Sequence, residues 1–428
     1  MSSIDSRFVV PLGRALLSVS LLSGCALTRK KPYVHTDASA QSATAIDTSR
    51  ALVLLPGLSE RSVLRAPSVA IDGSTVFVAA NLFSGDSVVG PSLYLGRLRR
   101  TATGALLPLD RLELPPGEFQ FAFPRVVAGG GRLHLVWCEL ASRWRTNAEW
   151  ETPVNRSQSL WHSVLEHGVW SLPTRISTAT QFGWDAKNGG VALERSGALH
   201  AVVWREIDGE AIRVIDFRWS GNGWHDVTLP YRPGLMRSTA VATRGDTVIV
   251  ALVETREDTS RVVVAASPGA DASWTAPLIV PSRAMREASV TRLALAAAGD
   301  ELLLAIGEQP DRRSSLDRLR VFRVTGDLHT TNETTVDLPP TVAGFDLAAG
   351  PCGAGVLLLN TFSTEPRLYT AAITRDASTP VIARLLPWTR AVFSSMAATQ
   401  DAAIAAFVYF PVASRYWNVA TVIPMCPP

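Results

Sequence analysis

Four glutamates fall at matching places in a chain that repeats itself. Glu139, Glu206, Glu254 and Glu308 each stand eight or nine residues beyond a turn-forming glycine, with Asn81 and Asn360 in related places. Carboxylates repeated at one level of a rotational repeat form a ring, and four of them around a funnel offer ligands for a cation, a cationic ligand or sugar hydroxyls. Their alternative role is structural, one glutamate inherited by each unit and hydrogen-bonded to its neighbour's backbone. The longest loop within a unit, ELASRWRTNAEWETPVNRSQS, begins at Glu139 and carries Trp144, Arg145 and Trp150, residue types enriched at interaction hot spots. The same tryptophans can instead fold under their own loop. Metal and nucleophile chemistry has less to stand on. His162 and His167 are five apart on a strand and its turn, so they need not face one way, and no cysteine pair lies near them. Cys138 reads as a small core residue, and His134 and His200 recur at one strand position, which points to shared packing. No phosphate loop or G-x-S-x-G elbow is present, and no metal or cofactor is expected.

The N-terminus carries chemistry of another kind. Arg7 and Arg14 precede the apolar run ALLSVSLL, Ala15 to Leu22, which is too short to span a bilayer and reads as the core of a signal peptide. The run ends in LSGC, Leu22 to Cys25, which resembles the bacterial lipobox. That resemblance implies cleavage before Cys25 and lipidation of its thiol; the alternative is an ordinary signal peptide containing a cysteine. Ala26 stands where an aspartate would favour inner-membrane retention, so the resemblance implies the outer membrane. Residues 1–24 are thus expected to be a signal peptide, 25–50 a lipidated flexible linker and 51–428 the folded domain. Each buried methylene of an acyl chain contributes about 0.8 kcal/mol, and more than one chain makes the anchoring stable.

Composition narrows the partners. A hydrophobic content of 47% with 18% charged residues supports a large core and argues against disorder. Net charge is only +3, and the basic trio Arg29, Lys30 and Lys31 lies beside the lipid, so nucleic acid is not an expected partner while anionic head groups are. Of the remaining cysteines, Cys138, Cys352 and Cys426, at most two can pair.

Positioning of these residues follows from the repeat. From Ala51 onward the pattern strand, tight turn, strand, polar loop, strand recurs seven times, with turn markers at Gly73, Gly131, Gly197, Gly245, Gly299, Gly353 and Asp401. Spacings of 48 to 66 residues and period-two alternation predict an all-β chain, a seven-bladed β-propeller of four-stranded blades, with six blades as the alternative. A fourth strand follows in six units, for example GVWSLPTRIS from Gly168 and SWTAPLIV from Ser273. The seventh unit ends without one, and ALVLLPGL, Ala51 to Leu58, is expected to supply it and shut the ring.

These blades resemble those of sialidase-like propellers. The resemblance rests on the turns Gly168 to Trp170, Gly223 with Trp224 and Ser273 with Trp274, and on the starts PSVA and PRVVA and the strands LHLVW and LHAVVW. Sialidases hold a carboxylate with an arginine triad, and Arg65, Arg125 and Arg237 stand in similar places. The Ser-x-Asp-x-Gly-x-Thr-Trp box is nowhere intact, and no tyrosine has a recognisable nucleophile context, so surface or inter-blade ion pairs are the other role for those arginines. The expected function is therefore a membrane-anchored binding or scaffolding propeller for a glycan or envelope protein, with a sialidase-like glycoside hydrolase or lyase as the alternative. If the N-terminal segment is a fourth strand, the tether enters on the face opposite the glutamates. The linker then reaches roughly 25 to 30 Å as a flexible coil. Cys352 and Cys426 fall on the tether's face in adjoining blades, which makes them the candidate disulfide.

Overall fold

Strand-forming segments rich in Val, Leu, Ile and Ala reverse at glycines that take the left-handed backbone conformation, such as Gly131 at φ 78° and Gly245 at φ 63°. The computed structural model describes residues 52–424 apart from 60, 85–91, 117–120, 141–157, 185–188, 208–209, 232–237, 257–258, 270–272, 281–288, 299–300, 310–314, 351–353, 362–366, 375–379, 381, 386–389, 399–401 and 413–414. Every regular element among these residues is a β-strand, and the strands form seven antiparallel sheets. Blade 1 is typical, with Ser62–Asp72 innermost, then Thr75–Ser84, Ser92–Arg100 and Leu106–Arg111. Seven blades are present, so the six-bladed alternative falls.

The ring closes as the repeat requires. Val53 and Leu54 pair with Ala420 and Val419 as the outermost strand of blade 7, whose other strands are Arg390–Ala398, Ala402–Val412 and Arg415–Pro424. Two outer strands differ from expectation. In blade 2 the segment after Gly168 is broken at Pro173 into Val169–Trp170 and Thr174–Ala179, since proline supplies no ladder donor. In blade 4 only Leu278–Val280 of the segment from Ser273 pairs. The innermost strand of blade 3 is also split, into Gln181–Phe182 and Gly190–Leu193.

Seven apolar clusters form the core, one between each pair of neighbouring blades. Leu55 and Leu64 lie in the cluster that joins blade 7 to blade 1, together with Val408 and Ala420. Each sheet is therefore covered on both faces, which is why strand two reads as a nearly continuous apolar run.

Polar side chains join the blades where the ladders leave amides over. In five blades a bulge interrupts strand one near its start, for example between Arg65 and Ser68 and between Ala122 and Arg125. Such a bulge frees backbone groups, and the next blade supplies partners. Asn81 accepts from the Phe123 amide at 3.1 Å, Ser68 Oγ from Val126 at 3.1 Å, Ser238 Oγ from Leu293 at 3.1 Å, and Asp346 from Met396 at 2.7 Å. At the ring closure buried Asn418 accepts from the Leu64 amide at 3.1 Å and donates to the Ser62 carbonyl at 2.8 Å. Replacing Asn418 with alanine orphans both backbone groups, and each costs about 1 to 3 kcal/mol. Chemical denaturation of Asn418→Ala should show a loss of roughly 2 to 4 kcal/mol, and a loss under about 0.5 kcal/mol would contradict this account of the seam.

Candidate functional site

Register decides which glutamates are equivalent. Counted from the hairpin pairs Gly129 with Arg132, Arg244 with Thr247 and Ala298 with Glu301, the glutamates 139, 254 and 308 occupy one position. Glu206 does not. The turn of blade 3 holds three residues, Arg195 to Gly197, between Glu194 and Ala198, so Arg205 takes the shared position and Glu206 falls on the opposite face of its sheet. Asn81 and Asn360 likewise sit one residue short of it and serve as the inter-blade acceptors for Phe123 and for Ser394 Oγ.

The three equivalent glutamates are held by strand three of their own blades. Glu139 accepts from Trp161 Nε1 at 2.8 Å. Glu254, 3% exposed, accepts from Arg261 Nε at 2.6 Å and also meets its Nη2. Glu308, 4% exposed, accepts from Arg320 Nη2 at 2.7 Å, with Arg318 Nη1 at 3.9 Å. Two of these carboxylates thus carry guanidinium partners, and a buried pair of this kind is costly to separate. These bonds run to side chains of the same blade.

Near the start of strand one the arginines show a different habit. Arg65 lies 4.6 Å over the ring of Phe83, Arg125 5.8 Å over Trp184 and Arg292 5.7 Å over Phe345. An aromatic face under a guanidinium restrains its plane. Cys25, Trp144, Arg145, Trp150, Arg237, Cys352 and Cys426 lie outside the described residues. Cys138 is a buried free thiol whose pKa burial pushes up to about 12, as befits a core residue.

The opposite face, which bears the strand one to two turns, holds two histidine environments that sequence reading reduced to packing. In blade 2, His134 Nδ1 and His162 Nε2 are 3.1 Å apart in nearly coplanar rings, with the edges of Trp219 and Trp224 closing round them. Burial holds His134 down at about 4, helped by Arg132, and His162 at about 3, helped by His134. Both are neutral at physiological pH. In blade 3, the equivalent His200 lies between two carboxylates, with Nδ1 3.0 Å from Asp216 and Nε2 2.8 Å from Glu194. Both ring nitrogens must donate, so the ring is the imidazolium. Burial opposes that charge, but Asp216 and then Glu194 outweigh it and raise the pKa. Arg218 completes the group, donating to Asp216 at 2.6 Å and to Ser267 of blade 4 at 3.2 Å. A sequence signal for this quartet existed in DFR, Asp216 to Arg218, whose polar residues sit inside an apolar strand.

A groove of about 460 Å³ opens between the turns of blades 2 and 3, lined by Arg132, His134, Glu166, Glu194, Arg195 and Ser196 with the glycine turns. Among the described residues no group of three His, Cys, Asp or Glu could hold a metal ion, and no helix is long and apolar enough to cross a membrane.

No protein-family model matches the chain, and no curated protein matches it in sequence. Solved structures do match in fold. An ulvan lyase of polysaccharide lyase family PL25, solved bound to -[GlcA(1-4)Rha3S]-, aligns with a TM-score of 0.55 at 11% identity over 87% of this chain and 96% of its own. The haemagglutinin-neuraminidase ectodomain of parainfluenza virus 5 aligns at 0.50, with 9% identity over 88% and 84%. A Trypanosoma rangeli sialidase aligns at 0.47, with 11% identity over 88% of this chain and 57% of that one. The fold is a seven-bladed β-propeller, similar to that of the ulvan lyase.

The two histidine environments predict opposite pH effects in separate windows. His134 and His162 are neutral in the fold, so their contribution is present above pH 6.5 and is lost as the pH falls toward 4, by about 1.4 kcal/mol per unit for each. The His200 contribution is complete below pH 6.5 and is lost as the pH rises through its elevated pKa. Denaturation from pH 4 to 9 should show roughly half the acid slope in His162→Phe and an unchanged one in His200→Gln. Equal acid slopes in His162→Phe and the wild type would refute the neutral pair.

Proposed function

We propose that this chain is a lipid-anchored binding propeller of the bacterial cell envelope, holding an acidic glycan on the rim where strand one begins. The observation that carries the reading is the set of arginines stacked on aromatic rings at that rim, Arg65 on Phe83, Arg125 on Trp184 and Arg292 on Phe345. A guanidinium fork held this way suits a carboxylate or sulfate, which it meets with two parallel hydrogen bonds. The rim glutamates favour the same sign of ligand, because Glu254 and Glu308 already have arginine partners and offer little to a cation. The fold is shared with a lyase whose ligand is an acidic, sulfated saccharide. Trp144, Arg145 and Trp150 belong to the loop after Glu139 and would add contacts from above that rim.

Anchoring rests on LSGC at Leu22 to Cys25, and the direction of the strand Val53–Leu54, antiparallel to Arg415–Pro424, favours a tether on the face away from the rim. The alternative, a glycoside hydrolase or lyase, draws on the same fold neighbours, but no pair of rim carboxyls free of arginine or tryptophan partners supports it among Glu139, Glu254 and Glu308.

Titration of the full chain with ulvan or polyglucuronate should give binding without release of unsaturated or reducing-end products. Arg65→Ala and Arg125→Ala should each weaken it about tenfold, roughly 1.4 kcal/mol, while a neutral glucan binds no form of the protein. Equal affinity for the neutral glucan would sink the acidic-glycan reading, and turnover would favour the enzyme. In cells, Cys25→Ser should abolish palmitate labelling and release the protein from membrane fractions. Unchanged labelling would refute the anchor.

A further inference from the structure

We infer that the outer edges of blades 7, 1 and 2 form a membrane-contacting surface, which lays this side of the ring against the head groups and upper acyl chains of a bilayer. The inference deepens the lipid-anchor reading proposed above and rests on it for the presence of a membrane at that edge.

The first observation is where apolar side chains meet solvent. Among the described residues six large ones are exposed, and five of them, Leu54, Leu107, Leu109, Val169 and Leu172, lie on the outer edges of these three consecutive blades. Val169 is 70% and Leu172 78% exposed, so most of each side chain is open to a partner. The sixth, Ile279, stands apart on blade 4. Single exposed leucines are ordinary on a protein surface, but confinement to neighbouring edges makes a patch. The edges are also joined. Val53–Leu54 lies beside Leu106–Arg111, and Trp170 Nε1 of blade 2 donates at 2.9 Å to the carbonyl of Glu113, just past the blade 1 edge.

The second is the kind of contact these edges allow. An open β-edge invites another strand, so backbone pairing with a second copy is the competing occupant. Here the ladder is interrupted on each edge. Pro108 and Pro173 offer no amide, the register shifts at Leu109 in blade 1 and at Ile176 in blade 2, and the blade 7 edge pairs over only Val53 and Leu54 among the described residues. Apolar side chains on an edge closed to strand addition suit a fluid partner that needs no register, the interfacial zone of a bilayer.

The third is charge and the path of the chain. Asp110 is taken by Arg97 and Glu166 by Arg132, while Asp72 accepts from the Gly131 amide. Arg99, Arg111 and Arg175 are exposed and form no ion pair among the described residues, against one such carboxylate, Glu113. Arginines beside leucines suit anionic head groups. The chain before residue 52 joins the ring at this same place, since Val53–Leu54 is the blade 7 edge. A tether there keeps the patch at high local concentration beside the bilayer, so a modest affinity is enough to set how the ring lies.

The test is flotation of the full chain carrying Cys25→Ser, which has no lipid, with vesicles of equal parts phosphatidylcholine and phosphatidylglycerol. This chain should float with the vesicles. Adding Leu107→Ser, Leu109→Ser and Leu172→Ser together should weaken the binding at least tenfold with an unchanged melting temperature, whereas adding Ile279→Ser should leave it as it was. Both variants keep the N-terminal apolar run, so a difference between them reports the patch. No flotation of the Cys25→Ser chain, or equal flotation of the two variants, would overturn the assignment. So would a dimer in analytical ultracentrifugation that the triple substitution abolishes while no form binds vesicles, a result that would give the surface to a second copy. Palmitate labelling of the wild type reports the anchor separately, so failure of the anchor and failure of the patch are distinct results.

Discussion

Every part of this molecule depends on amides that one sheet cannot satisfy being satisfied by the next. Strand one bulges near its start in five blades, and a bulge in a buried strand would be costly if its freed N–H groups met only hydrocarbon. Asn81, Ser68, Ser238, Asp346 and Asn418 each place an acceptor on the neighbour's amide. Apolar packing between blades is strong but has no direction, and these bonds fix the rotation from one blade to the next. The rim and the turn-face groove both inherit their geometry from that rotation. A groove walled by two blades exists only because the blades cannot slide.

Much of the architecture was legible in the sequence. Glycines at 73, 131, 197 and 245 mark true reversals, and Ala51 to Leu58 contains the strand that completes blade 7. What escaped reading was set by single residues. One extra residue in the turn at Arg195 moves Glu206 off the position shared by Glu139, Glu254 and Glu308, and counting from a glycine cannot show it. Whether a rim carboxylate is open or occupied depends on residues opposite it in strand three, Arg261 and Arg320, which are seven and twelve places further on.

His134 and His200 illustrate how far an environment can divide two copies of one position. Both are fully enclosed and both sit two residues past a hairpin. One faces another imidazole and the edge of Trp219 and stays neutral; the other faces Asp216 and Glu194, which raise its pKa. The difference comes from the strands beside each one in its own sheet, which bring His162 to His134 and Asp216 and Glu194 to His200. Repetition fixes where a side chain stands, and its immediate partners fix its proton.

Among the described residues the ring is shut by two residue pairs, Val53 with Ala420 and Leu54 with Val419, followed by the Leu55 amide on the Asn418 carbonyl. Any tension arriving along the chain before residue 52 is therefore borne first by this short clasp. Asn418 also binds Ser62 and Leu64 across the junction, so the clasp and the first blade share one fastening. A ring closed by its own front strand is mechanically a drawstring, and pulling on that end loads the closure before any other strand feels it.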